Sequence, residues 1–215
     1  AVKEEGYAVI NADDKYSRYI LPRIKCRKIY FSMNCENPLI KKSNKEKDSI
    51  SVYVLNNEIV ASENGKIKKI ASINSIPITL NGMLEFNIEN SLAACSALIA
   101  IGIDYMQIAR GLKTFKLDSN FNSGRFNIFN VDGVKVVLDY GHNIEGYKCV
   151  LKSLTKIRKK EIIGIIGVPG DRENSHIEEI GKICTKTIDK IIIKEDKDRR
   201  GREKGEVAKI LEKAI

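Results

Sequence analysis

The stretch that most constrains this chain is Val134-Lys135-Val136-Val137-Leu138-Asp139-Tyr140-Gly141-His142-Asn143, followed by Ile144-Glu145-Gly146-Tyr147. An apolar, β-branched run gives way abruptly to Asp, His and Asn. That pattern predicts a buried strand ending in a polar turn that opens into a helix. In an open α/β sheet, ligands sit at the carboxyl ends of strands. A helix starting just beyond offers unpaired N–H groups and the positive end of a dipole to an anion. The stretch therefore suits a nucleotide or phosphate site. It equally suits a plain strand-to-helix turn whose Asp and Asn cap the helix, and both readings stand at this point.

Composition narrows the classes. The chain has 215 residues, enough for two small domains or one large one, and its 43% hydrophobic content is that of a globular protein. No apolar run is long enough to span a bilayer and no signal-peptide core opens the chain, so the expectation is a cytoplasmic protein without a membrane partner. The chain also begins without an initiator Met, as a fragment would. Cysteines stand singly at 26, 35, 95, 149 and 184, which argues for reduced thiols rather than a disulfide framework. With only His142 and His176 and no close Cys pair, a structural zinc site is not expected. The formal net charge is +9, but the lysines are spread and aromatics are few. A solvated Lys-rich surface is expected, not a nucleic-acid platform.

Residues 6–14 predict a strand running into Asn11-Ala12-Asp13-Asp14. Paired carboxylates at a strand end serve some metal–nucleotide sites but more often form a turn, and the turn is the reading adopted. Residues 28–32 predict a second strand, and residues 34–49, rich in Asn, Lys and Ser, an exposed loop. Residues 50–54 and 58–61 flank Asn56-Asn57 as a hairpin, with further strands at 67–73 and 76–80. Residues 87–100 are Ala-rich, start at Asn87 as an N-cap and stop before Gly102, predicting a helix. A second helix covers 104–114, with Asp104 and Gln107 as a capping box. The polar stretch 117–124 reads as a domain boundary. Residues 125–131 and 134–139 then form a hairpin about Asp132-Gly133. Beyond it come a helix at 145–156, a strand at 162–167, a helix at 175–187 opened by Ser175 and Glu178, a strand at 190–194 and a helix at 204–215. This alternation predicts a mostly parallel, doubly wound sheet.

All three strand ends of the second half are polar: residues 139–143, then Gly167-Val168-Pro169-Gly170-Asp171-Arg172, then residues 194–202. In a parallel sheet they share one edge and converge on one cleft. Each loop alone also reads as a solvated turn, the last most of all, because charge runs face water. Arg and Lys hold carboxylate or phosphate, while Asp and Glu hold cations. A zwitterionic or cationic amino acid would use both.

These residues carry a resemblance. Gly82, then Phe86-Asn87-Ile88-Glu89-Asn90-Ser91-Leu92-Ala93-Ala94, then Gly124-Arg125, then Asp139-Tyr140-Gly141-His142-Asn143 resemble the ordered signature of the Mur ligase superfamily. The order runs from the late central domain through an interdomain linker into the C-terminal domain. Gly124-Arg125-Phe126-Asn127, residues 138–143 with Gly146-Tyr147, Gly170-Asp171-Arg172, and Lys194-Glu195-Asp196 with Arg199-Arg200-Gly201-Arg202 resemble, more narrowly, the Mur-like half of the cyanophycin synthetases. The resemblance covers nearly the whole chain. It departs mildly from the family pattern at Phe86, Ser123, Gly141 and Ile144.

The resemblance implies an α/β fold: a Rossmann-like, mostly parallel C-terminal domain over residues 123–215, preceded by the last part of an α/β central ATPase domain over residues 1–122. It implies an ATP-dependent amide ligase in which a carboxylate is phosphorylated, magnesium bridges the phosphates, and an amine attacks the acyl phosphate. For the cyanophycin type, the amine is the α-amino group of L-arginine and the acid is the β-carboxyl of a poly-aspartate (cyanophycin) primer. The implied partners are ATP-grasp and P-loop parts upstream in the same polypeptide, and further copies in a homo-oligomer. Matched residue by residue, Asn87 reaches the adenine, Arg125 lies near the phosphates, Asp139 binds the ribose hydroxyls, and His142 and Asn143 neighbour the nucleotide. As bare residues, Asn87 also reads as an N-cap and Arg125 as a surface Arg at a hinge. Asp196, Asp198, Arg199, Arg200 and Arg202 stand where related muramyl ligases recognise the incoming amino acid, and Asp171 and Arg172 line the same cleft. No G-x-x-x-x-G-K-[ST] segment occurs in the chain. The phosphate cradle and the metal-binding Glu are therefore expected upstream, and the chain alone is expected not to turn over ATP. Two rivals remain: another Mur-type ligase of the muramyl peptide or folylpolyglutamate kind, and a non-catalytic module binding a nucleotide or amino acid.

Overall fold

The computed structural model describes residues 2–158 and 160–215. They form two compact units, one ending at Lys116 and the other starting at Leu117.

The first unit holds β1 (Tyr7–Asn11), a short α1 (Ser17–Ile20), β2 (Arg27–Ser32), α2 (Pro38–Ser43), β3 (Ile50–Leu55), β4 (Glu58–Glu63), β5 (Lys66–Ser72), α3 (Glu85–Ala100) and α4 (Tyr105–Thr114). Its five strands pair in the order β1-β2-β3-β4-β5. The first three are parallel and the last two antiparallel. Asn56 and Asn57 both take positive φ, at 49° and 63°, as the expected two-residue hairpin turn requires. Strands β3 and β4 are buried on both faces. Val52 and Ile59 join Ile88, Leu92 and Cys95 of α3 on one face, and Tyr53 and Val60 meet Ile40 of α2 on the other.

Three local expectations change. Residues 34–49 are not all loop, because Asn37 caps α2 by accepting from the Leu39 N–H at 2.9 Å, with Pro38 behind it. A six-residue helix shows too little periodicity to be read, though its cap is visible. Residues 76–80 form no strand. Ile73–Ser75 and Pro77–Thr79 are 3-10 turns, tied together where the Thr79 hydroxyl donates to the Ile73 and Ile76 carbonyls. Pro77 has no N–H to give a sheet, and Leu80, Asn81 and Gly82 all turn back through positive φ. Asn87 is not the cap of α3, which begins at Glu85 after Leu84. Its carboxamide donates instead to the Ile78 carbonyl at 2.7 Å and pins the helix to that turn. Asp13 bears out the turn reading, accepting from Ser32, the Met33 N–H and Asn37 at the ends of β1 and β2.

The second unit holds a short α5 (Ser119–Asn122), β6 (Asn127–Val131), β7 (Val134–Leu138), α6 (Ile144–Ile157), β8 (Ile163–Ile166), α7 (Asn174–Cys184), β9 (Lys190–Ile193) and α8 (Glu206–Ala214). Strands β6 and β7 form an antiparallel hairpin about Asp132 and Gly133, and β8 and β9 are a parallel pair joined through α7. The helix α7 opens at Asn174 after Glu173, so Ser175 and Glu178 do not form its cap.

Burial in this unit is one-sided. Leu151 of α6, Ile177 and Ile180 of α7, and Leu211 of α8 share one cluster with Ile166 and Val168. Gly181 admits α8 closely, since a Cβ there would lie 2.9 Å from the Ala214 Cβ. The helices therefore gather on one face among the described residues. Ile163, Ile165 and Ile192 point away and are exposed. The expected buried strand is likewise corrected, because Val134, Val136 and Leu138 of β7 are 61%, 42% and 52% exposed. A continuous apolar run reads as buried only when layers cover both faces. No helix among the described residues is long and apolar enough to cross a membrane.

None of the five cysteines forms a disulfide. Burial pushes the Cys95 thiol up to about 12 and the Cys184 thiol to about 11. A thiol-specific reagent at neutral pH is expected to modify Cys35 and Cys149 in the native protein, and Cys95 and Cys184 only in denaturant. Mass-spectrometric mapping of labelled peptides checks this.

Candidate functional site

The second unit brings the three polar loops together. The first follows β7. Asp139 accepts the Phe126 N–H on one carboxylate oxygen and the Gly141 N–H on the other, both at 2.9 Å. The Tyr140 N–H donates to the Gly124 carbonyl at 2.8 Å. The strand end thus clamps Gly124-Arg125-Phe126 onto itself. Phe126 has φ +51°, a rare backbone for a bulky residue, yet its ring is wholly buried. Burying a Phe contributes about 1.5–3 kcal/mol, which offsets the roughly 1–2 kcal/mol cost of the left-handed backbone. With Phe126 turned inward, Arg125 is exposed and its guanidinium stands 5.7 Å from the Tyr140 ring centroid. The His142 ring tilts against Tyr140 at 5.2 Å. Asn143 caps α6 by accepting the Gly146 N–H at 2.7 Å.

The second loop follows β8. The Tyr147 hydroxyl of α6 donates to the Gly167 carbonyl at 2.8 Å. Burial pushes that phenol up to about 12, so it stays a donor at neutral pH. Arg172 Nε donates to the His142 carbonyl at 3.3 Å, joining the second loop to the first.

The third loop follows β9 and packs on the second through two glycines. A Cβ on Gly167 would lie 2.6 Å from the Lys194 carbonyl oxygen, and one on Gly170 2.2 Å from that of Arg199. Arg202, its side chain only 17% exposed, donates to the carbonyls of Gly170 and Arg172 at 2.6 and 2.5 Å. It also donates to Asn174 at 2.8 Å and Glu206 at 2.7 Å. The Arg200 guanidinium contacts Asp171 at 2.7 Å. Arg200 beside it, helped by Arg172, holds the Asp171 carboxyl below the usual carboxylate range.

The candidate residues fall into distinct settings. Asp139, His142 and Asn143 occupy the first loop, with Arg125 stacked beside them. Asp171 and Arg200 face each other across the second and third loops. Arg172 bridges the first two loops through its Nε. Arg202 is spent on backbone and neighbouring side chains. Asp196 lies 3.7 Å from Lys194, Asp198 accepts the Arg200 N–H at 3.1 Å, and Arg199 is exposed. Residues 197–203 line an open hollow of about 440 Å³. Asn87 belongs to the first unit, 7% exposed, where its carboxamide serves Ile78 and accepts from Asn90. Sequence reasoning missed Tyr140, Tyr147, Gly167 and Gly170 as makers of the site. Two glycines three apart at a strand end, facing another charged strand end, were the available signal for close loop approach.

Gly170→Ala is expected to force the second and third loops apart, costing about 1–3 kcal/mol by overpacking. Thermal denaturation reads this as a fall in Tm.

Comparison with known proteins follows the same division. Residues 1–98 match the Mur ligase middle domain, and residues 124–214 match the Mur ligase, glutamate ligase domain. The chain is 37% identical over 210 residues to cyanophycin synthetase from Crocosphaera subtropica, covering 98% of this chain and 24% of that protein. It is 38% identical over 215 residues to cyanophycin synthetase from Geminocystis herdmanii, covering 100% and 24%. The chain therefore spans about a quarter of the length of these curated relatives. A murein peptide ligase from Psychrobacter arcticus shares the fold with a TM-score of 0.65 at 16% identity, covering 99% of this chain and 41% of that one. With middle-domain sequence followed by glutamate-ligase-domain sequence along its length, this chain belongs to the Mur ligase family.

Proposed function

We propose that the chain is part of an ATP-dependent amide ligase of the cyanophycin synthetase type. The observation that carries this reading is the end-to-end match to cyanophycin synthetases at 37% and 38% identity. On this reading the ligase joins L-arginine, through its α-amino group, to the β-carboxyl of an aspartate in a poly-aspartate backbone. ATP supplies the activation of that carboxyl as an acyl phosphate.

The residues of this chain suit the nucleotide. A carboxylate has about four lone-pair sites, and two backbone N–H groups occupy Asp139, which leaves capacity for ribose hydroxyls. Arg125 is an exposed cation against Tyr140, the residue after Asp139, and is suited to phosphate. His142 and Asn143 border the same loop, and Asn87 keeps an amide hydrogen beyond its bond to Ile78 for adenine. Asp171 and Arg172 with Asp196, Asp198 and Arg199 supply both charge signs for a zwitterionic, cationic amino acid, while Arg200 is itself paired to Asp171. Arg202 acts as the brace of that loop. Magnesium would balance phosphate charge. No group of three His, Cys, Asp or Glu side chains among the described residues is arranged to hold a metal, so we assign its ligands to residues outside this chain. We assign the P-loop there too, and propose that this chain alone does not turn over ATP.

The test is ATP consumption by the full-length protein with a poly-aspartate primer and single amino acids. Stimulation by arginine is expected, with Asp139→Ala lowering it at least about ten-fold through the lost nucleotide contact. Stimulation by a different amino acid instead would keep the ligase and discard arginine. No turnover with any amino acid would discard the ligase.

A further inference from the structure

Resting on the ligase reading, we propose that Arg200 is an internal occupant of the guanidinium subsite, seated on Asp171 until the side chain of the substrate arginine displaces it. Asp171 and Arg200 come from different loops, 29 residues apart, and meet at 2.7 Å beside the hollow lined by residues 197–203. A carboxylate already holding one alkylguanidinium has the charge and planar geometry to hold another. The site thus presents its preferred ligand chemistry in its own sequence.

The contrast with Arg202 separates an occupant from a brace. Arg202 is 17% exposed in its side chain and is held by Gly170, Arg172, Asn174 and Glu206. The Arg200 side chain is 39% exposed, with Asp171 at 2.7 Å and Asp198 only at 3.9 Å. An ion pair this open is weak and exchanges readily with a competing cation. A half-buried, multiply bonded one does not.

The backbone supports the same reading. Arg200 sits at φ +49°, followed by Gly201 at φ +88°. Gly or Asn takes such a position more easily than Arg, and the Arg200 residue is exposed, its side chain reaching Asp171, Asp198 and the Tyr140 side chain rather than a packed core. Its turn is set by the N–H donated to Asp198, which aims the side chain back at the second loop. Tyr140, 58% exposed, adds an aromatic face on which a guanidinium can rest, as Arg125 already does. The ligand class is therefore an alkylguanidinium cation. A planar fork is favoured over the point charge of an ammonium.

The experiment is steady-state kinetics of the full-length protein with arginine, lysine and citrulline, the last being the neutral analogue of arginine. Arg200→Gly suits the backbone and removes the occupant. It is expected to lower the KM for arginine roughly two- to five-fold, the most a weak exposed pair can withhold, with kcat little changed. Asp171→Asn is expected to raise that KM at least about ten-fold and to erase the preference for arginine over citrulline. In the Asp171→Asn background, Arg200→Gly should no longer change KM, whereas a merely structural pair would raise KM in both single variants. An unchanged or raised KM in Arg200→Gly, with a normal melting curve, overturns the proposal while leaving the ligase standing. A wild-type protein indifferent to arginine removes the ligase reading and the proposal with it.

Discussion

Arg202 donates to the carbonyls of Gly170 and Arg172 and to the side chains of Asn174 and Glu206. One guanidinium thus ties the loop after β8, the start of α7 and the start of α8 to the loop after β9. Two loops full of like and unlike charges would otherwise spread in water, because each gains little from any single exposed ion pair. Gly170 makes the clasp possible, since nothing larger than hydrogen fits against the Arg199 carbonyl. The geometry of Asp171, Arg200 and the surrounding hollow rests on this brace and that close approach.

A second clamp orders the other side of the site. The carboxylate of Asp139 satisfies two backbone donors at once, and so fixes a left-handed Phe126 that the burial of its ring sustains. Turning Phe126 inward puts Arg125 outward over Tyr140. A single acidic residue therefore both shapes the strand end and retains free lone pairs. Polar residues here work as scaffold first and become available to a ligand through what the scaffold leaves unused.

Much of this was readable from the chain. The two-residue turns at Asn56-Asn57 and Asp132-Gly133 carry their own backbone preference. Asn143 caps α6 and Asp104 caps α4, as short polar side chains before apolar runs do. The three polar loops do meet, but through loop-to-loop contacts, since β6–β7 and β8–β9 pair as separate two-stranded sheets among the described residues. What failed has physical reasons. Pro77 and positive φ at Leu80 turned an apparent strand into 3-10 turns. A six-residue helix, α2, was too short to show a period. The exposed face of β7 could not be read because β-branched residues look alike whether or not a layer covers them.

The α/β class, the hairpins, the candidate loops and the match to the Mur ligase family are legible in the residues alone, because these depend on local spacing and residue type. The roles within those loops emerge from contacts made in three dimensions. Arg200 and Arg202 stand two residues apart with the same side chain, yet one is an exposed partner of a single close carboxylate and the other a half-buried brace. The difference lies in what each meets across the chain, Asp171 for one and the Gly170 and Arg172 carbonyls for the other. No local pattern encodes a contact made 29 to 32 residues away.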